Sequence, residues 1–195
     1  MSGKIIVFEG LDKTGKTTQC TKLYNYLINN NIKCVLIAFP NRTTAIGQII
    51  DKYLKKEINL PDKSIHLLFS ANRWEFNNIF KKYIKNNINI ILDRYIYSGI
   101  AFSAAKGLDI NWCKECDKGL LNADIVFYLK SNKNISDETF GDERYETLNF
   151  QNKVKCVYDN LFKNCSEDTQ IETIDASLSI DEVFNIIKDK LNNIL

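Results

Sequence analysis

Histidine is nearly absent from the chain. His66 is the only one, and the single CxxC, Cys113 to Cys116, has no second CxxC to pair with. A structural zinc site needs about four ligands, so a zinc centre is not expected. The six cysteines are scattered through a chain with no secretory signal and read as reduced thiols, not as a disulfide framework. Proline is nearly as scarce, with Pro40 and Pro61 alone. The asparagine-rich stretches "NNNIK", "KNNIN" and "SNKNIS" therefore read as solvated connections, not low-complexity tails. Charge of one sign is missing too: 26 Lys and Arg face 24 Asp and Glu, for a net +2. No general basic field exists to hold nucleic acid, and any phosphate must be gripped by placed residues. No hydrophobic run approaches the length of a membrane span, and the apolar stretch of "MSGKIIVFEG" is too short for a signal segment. No membrane partner is expected, and the cytoplasm is the default compartment.

What is present is a regular alternation of strand and helix. With 195 residues and 45% hydrophobic composition, one domain spanning 1–195 is expected. Apolar runs at Ile5–Phe8, Cys34–Phe39, Ile88–Leu92, Ile125–Leu129 and Ile171–Ile174 predict five buried parallel strands. Between them, helices are predicted over Lys16–Asn29, Thr43–Lys55, Ser64–Asn86, Tyr95–Ala105, Tyr145–Asn164 and Ile180–Leu191. This pattern predicts an α/β fold, a three-layer doubly wound five-stranded parallel sheet with helices on both faces. Its ligand crevice should lie at the carboxyl ends of the strands.

The first strand runs into "GLDKTGKT", which fits G-x-x-x-x-G-K-[ST] without a mismatch and opens a helix. Gly10 and Gly15 let the backbone curl so that its N–H groups and the helix N-terminus face anionic oxygens. Lys16 would reach the β and γ phosphates of a nucleoside triphosphate, and the Thr17 hydroxyl would ligate Mg²⁺. Guanine selectivity normally needs N-K-x-D. The nearest match, "NKNI", ends in Ile135, which cannot accept the paired guanine N–H donors. A GTPase is disfavoured, and a kinase with a separate acceptor pocket is expected.

Three segments offer that pocket. "FPNR" follows the second strand and places Arg42 at the crevice mouth, where a guanidinium can grip a phosphate bidentately. In "LLFSANRW", Phe69 and Arg73 lie four apart on one helix face, a stacking plane and a planar fork of donors suited to a flat heterocycle. His66 shares that face and could touch the site, with a structural role as the preferred reading. "DRY" ends the third strand, where Asp93 could hold Mg²⁺ through water and Arg94 could bridge donor and acceptor phosphates. Taken singly, Phe69 could be core and the arginines solvated; three such clusters at strand ends beside a P-loop point to function.

"FEGLDKTGKTTQ", "FPNRTTAIGQII", "LLFSANRWE", "DRYIYSGIAF", "FGDERYE" and "DAS" together resemble thymidylate kinases, in particular the eukaryotic and poxviral branch of these P-loop nucleoside monophosphate kinases. The resemblance runs from about Ile5 to beyond Asp175. It implies reversible transfer of the γ-phosphoryl of Mg·ATP to dTMP, giving dTDP and ADP on the way to dTTP, with ATP as co-substrate and Mg²⁺ as cofactor. It also implies a homodimer and a short lid over about 132–143.

Residue by residue, the resemblance implies a catalytic set of Asp12, Lys13, Lys16, Asp93 and Arg94. ATP would be held by Gly10, Lys13, Thr14, Gly15, Lys16, Thr17 and Thr18, with backbone near Ser177 and Leu178 at the adenine. Acceptor contacts would come from Asp12 at the sugar 3′-hydroxyl, Arg42 and Arg94 at the phosphate, and Phe69 and Arg73 at thymine. Phe39, Ser98 and Gly99 would line the pocket, Phe102 would crowd a 2′-hydroxyl, and Tyr145 and Gln151 would close the opposite side. Thr17 and Asp93 would serve the metal, partly through water. Phe39–Pro40 is expected to be cis. Two departures stand out. Lys13 occupies a position that is often arginine in eukaryotic members, and the lid lacks an adenine-stacking arginine before Arg144. Two rivals remain at this point. One is a deoxynucleoside kinase, for which Arg42 and Arg94 together would have no acceptor phosphate to hold. The other is a non-catalytic nucleotide binder, which would have no need of Lys16, Thr17, Asp93 and Arg94.

Overall fold

Alternate residues of the first strand already divide the molecule. In the computed structural model, β1 (Ile5–Glu9) is buried along its whole length. Ile5 and Val7 point into one apolar cluster, Ile6 and Phe8 into another, as period-two geometry requires. The structure describes residues 2–131, 141–163, 169–192 and 194.

The remaining strands are β2 (Cys34–Ala38), β3 (Asn89–Asp93), β4 (Ile125–Lys130) and β5 (Gln170–Asp175). They pair in the order β2-β3-β1-β4-β5, every neighbour parallel. The central strands are buried, whereas β2 and β5 at the edges are partly exposed. Helices α1 (Lys16–Asn29) and α7 (Ile180–Leu191) supply Cys20, Leu23, Leu27, Val183 and Ile187 to one face of the sheet. On the other face lie α3 (Asp62–Lys85), α4 (Ile96–Ala104) and α6 (Leu148–Lys163), through Phe80, Ile100, Val154 and Tyr158. The three-layer doubly wound α/β expectation holds.

Boundaries differ where caps decide them. Helix α2 (Ala45–Leu54) begins after Thr44, whose hydroxyl accepts from the Gly47 N–H at 3.0 Å. Helix α6 begins at Leu148, so Tyr145 lies outside it on the approaching segment, where it is buried against Phe102 and Phe150. A further helix, α5 (Ile110–Glu115), was not anticipated. It has only six residues, too few for a periodic signal, and is capped by Asp109, which accepts from the Trp112 N–H at 2.7 Å. Of the lid segment, 132–140 lies outside the described residues, as does Asn164 at the expected end of α6. No described helix is long and apolar enough to cross a membrane.

Candidate active site

The loop from Gly10 to Gly15 turns the chain from β1 into α1 in a tight arc. Gly10 sits at φ 145°, where a methyl group would lie 2.5 Å from the Leu129 carbonyl oxygen, and Gly15 at φ 85° precedes the first residue of α1. Both positions suit glycine for steric reasons. Lys13 adopts φ 64° on the loop and lines the open side. Thr14 turns the other way, its hydroxyl donating to the Leu11 carbonyl at 2.9 Å, so its side chain braces the loop.

Lys16 is buried at the foot of the loop, with Nζ 2.5 Å from the Leu11 carbonyl. Burial, with Arg94 nearby, lowers its pKa to about 8 despite Asp12, Asp93 and Glu9. Because β1 and β3 are neighbours, with Phe8 opposite Asp93, the end of β3 lies beside this loop. The Thr17 hydroxyl accordingly donates to Asp93 Oδ2 at 2.5 Å. A hydroxyl and a carboxylate side by side are hard oxygen donors of the kind Mg²⁺ takes, with phosphates and water completing its shell.

Arg94 follows β3 at φ 68°, and its guanidinium lies between the loop and a second cavity. It donates to the Gly10 carbonyl at 2.9 Å, to Ser98 Oγ at 3.1 Å and to Asp12 Oδ1 at 2.5 Å, and lies 5.2 Å from the Phe102 ring centre. Burial opposes the charge of Arg94, but Asp12, Tyr158, Asp93 and Glu9 outweigh it and raise the pKa. Burial likewise works against ionisation of Asp12. Arg94 and Lys16, with hydrogen bonds from Gln151 and Arg94, reverse that and hold its carboxyl below the usual range.

Two cavities meet here. One, of about 530 Å³, is lined by Lys13, Gly15, Lys16, Thr17, Thr18 and Asp93. The other, of about 120 Å³, is lined by Phe69, Arg73, Ser98, Gly99, Phe102 and Tyr145. Asp12, Phe39, Pro40, Arg42 and Arg94 line both, and the Phe39–Pro40 peptide is cis. The first cavity has the dipoles and cations to cradle phosphates. The second is aromatic, with an arginine at one end, as a planar base requires.

The positions expected from sequence thus converge, with qualifications. Gln151 does not line the smaller cavity. It is buried behind Asp12, donating to Oδ2 at 2.5 Å and accepting from the Asp12 N–H at 3.2 Å, and so acts on the carboxylate from the rear. Ser177 and Leu178 lie beyond β5 and line neither cavity. The Ser177 N–H is bonded to Asp175 at 2.8 Å, and this corner is tied to α1 by Gln19 donating to the Ile180 carbonyl at 2.9 Å. His66 is buried, 2.7 Å from Ser103 Oγ and 3.2 Å from the Cys113 carbonyl, and does not line the cavity. Arg42 is held by Glu143 at 2.7 and 3.0 Å and by Asp51 at 2.6 Å, contacts that raise its pKa, foremost the bond to Glu143.

Four carboxylates were missed. Glu143 and Asp51 brace Arg42, and Asp117 pairs with Arg73. Glu9, immediately before the P-loop, is fully buried and accepts from the Tyr95 and Ser98 N–H groups and from the Ser98 and Tyr158 hydroxyls. Its adjacency to the motif was visible; its partners, far along the chain, were not.

The thymidylate kinase family model matches residues 8–187. A thymidylate kinase of Schizosaccharomyces pombe is 47% identical, covering 98% of this chain and 93% of the relative. The one from Homo sapiens is 38% identical over 95% and 88%. A solved thymidylate kinase from Candida albicans superposes with a TM-score of 0.86 at 35% identity, covering 98% of this chain and 92% of that one.

Proposed function

The chain belongs to the thymidylate kinase family, and from that premise we propose that Mg·ATP occupies the larger cavity and dTMP the smaller, the γ-phosphoryl group passing between them. The observation that carries this reading is the shared wall: Asp12, Arg42 and Arg94 border both cavities, so two phosphates of opposite substrates would meet among fixed donors. Residues 1–195 are read as one kinase domain. The homodimer is carried by the resemblance alone.

In this reading Thr17 and Asp93 hold Mg²⁺, which when bound would neutralise charge on the triphosphate. Lys16, charged when it meets phosphate, and Lys13 on the open side draw the donor phosphates into the loop. Arg94 cannot swing freely, because Asp12, the Gly10 carbonyl and Ser98 hold it. Its charge is therefore preorganised where the transferred group would pass, the main source of catalysis when little covalent chemistry falls to the protein. Arg42 exchanges the carboxylates of Glu143 and Asp51 for the acceptor phosphate. Asp12 accepts from the sugar 3′-hydroxyl, Phe102 excludes a 2′-hydroxyl, Phe69 stacks on the base and Arg73 donates to its edge. No strong general base is needed, since the acceptor phosphate is ionised near neutral pH, with a second pKa of about 6.

The test is ADP release with Mg·ATP against dTMP, dUMP, dGMP, UMP, CMP, AMP and thymidine, corrected for acceptor-free hydrolysis. The expected result is a clear preference for dTMP, with thymidine inert. Turnover of thymidine but not dTMP would make the acceptor a nucleoside and remove the phosphate role of Arg42.

A further inference from the structure

Arg73 projects from α3 toward the base end of the acceptor cavity, yet its guanidinium is almost wholly enclosed. Asp117 takes two of its nitrogens, Nε at 3.2 Å and Nη2 at 2.6 Å, and both side chains are 3% exposed. Nη1 is left unengaged by Asp117. Gly99 closes the face of the guanidinium so tightly that a methyl group there would lie 2.6 Å from Nη2 and 2.8 Å from Nη1. A fork held along one edge and covered on one face has very little freedom left.

The support for Asp117 is itself built. It follows α5, and the segment from Cys113 to Asp117 is pinned along one face of α3. His66 meets the Cys113 carbonyl at 3.2 Å, while Ser70 and Trp74 both donate to the Cys116 carbonyl, at 2.8 and 3.1 Å. His66, Ser70, Arg73 and Trp74 are spaced i, i+4, i+7 and i+8, the spacing of one helical face. Three contacts from one helix onto the end of α5 and the residue after it place one carboxylate.

We propose that Asp117 is a positioning residue that sets pyrimidine selectivity, by fixing Arg73 so that the base edge meets donors only. This rests on reading the smaller cavity as the dTMP site. Arginine has no acceptor and keeps its charge, so a held guanidinium favours a ring carbonyl at that edge and opposes an amino group. Thymine and cytosine differ at that point, a carbonyl against an amine at C4. A mobile guanidinium could turn aside from the amine; a clamped one cannot.

Steady-state kinetics with dTMP and dCMP decide the matter. Absence of dTMP turnover by the wild-type protein would defeat the reading of the cavity and leave the Arg73–Asp117 geometry untouched. Given that turnover, Asp117→Asn is expected to raise KM for dTMP by about tenfold or more, with KM for ATP unchanged and the dTMP to dCMP ratio of kcat/KM reduced. In an Arg73→Gln background the same change should add less than about twofold, since Asp117 acts through Arg73. Asp117→Glu keeps the charge but must shift the guanidinium, so it too should raise KM for dTMP alone, and it decides the question should the Asn protein fail to fold. Parallel rises in KM for dTMP and ATP, unaltered selectivity, or an undiminished effect in the Arg73→Gln background would each overturn the proposal.

Discussion

Lys16 is buried at the foot of the P-loop, and that has a consequence for pH. Its pKa falls from 10.5 in the free side chain to about 8 in the fold. Between those values the unfolded chain carries a proton that the folded one lacks. Stability therefore rises with pH across that window, and the penalty for charging Lys16 is fully present below pH 8. A bound triphosphate reverses the preference by supplying negative charge. Binding above pH 8 must then take up a proton, and affinity should fall by up to about tenfold per unit of pH. Titration calorimetry with Mg·ATP is expected to give a Kd about tenfold or more weaker at pH 9.5 than at pH 7.5. Proton uptake should show as a dependence on buffer ionisation heat. Lys16→Met should bind weakly with no such slope. A flat wild-type profile would mean that Lys16 keeps its proton throughout, against the burial argument.

Elements position what residues perform, and α4 shows how. Its cap position, Tyr95, makes no side-chain cap bond. The orphan N–H groups of Tyr95 and Ser98 are taken instead by Glu9 from the end of β1, at 2.9 and 3.1 Å. A carboxylate is well suited there, with four donors converging on two oxygens and the helix dipole favouring negative charge. Glu9→Gln replaces one acceptor by an NH₂ that must face an N–H or a hydroxyl. The expected cost is about 1–3 kcal/mol, or a fall in Tm of about 5 °C for a chain of this size. Because α4 carries Ser98, Gly99 and Phe102, KM for dTMP should rise with it. An unchanged Tm would show that the amide finds a second geometry. The same element marks the limit of sequence reading. The P-loop, "DRY" and the Phe69–Arg73 pair were legible because each is local: a turn, a strand end, one helical face. Glu9, Asp117 and the rear position of Gln151 were not, because their partners lie 44 to 149 residues away and only the sheet order brings them together.

At the scale of the whole molecule, the sheet separates the two sites proposed for the donor and the acceptor. Lys16 and Thr17 ride on α1, which rests on one face through Cys20, Leu23 and Leu27. The smaller cavity rests on the other, since Phe39 and Tyr95 line it and both pack on Phe80, at 6.3 and 6.4 Å between ring centres. Periodicity located these helices but could not say which face each would cover. Removing the Phe80 ring should therefore loosen one side selectively. Phe80 is fully buried, and Phe80→Ala should cost about 3–5 kcal/mol through lost contacts and the cavity left behind. That corresponds to a fall in Tm of about 10 °C. Because Tyr95 lines the smaller cavity alone, whereas Phe39 borders both, KM for dTMP should rise several-fold while the Kd for Mg·ATP stays much nearer wild type. Scanning calorimetry with and without dTMP gives a second reading, since ligand at about 100 times its Kd stabilises by about 2.7 kcal/mol. At one fixed dTMP concentration the increment should shrink in Phe80→Ala as affinity falls, and the ATP increment should not. Equal loss of both would mean that the sheet transmits the disturbance from one face to the other and that the two sites are not mechanically separate.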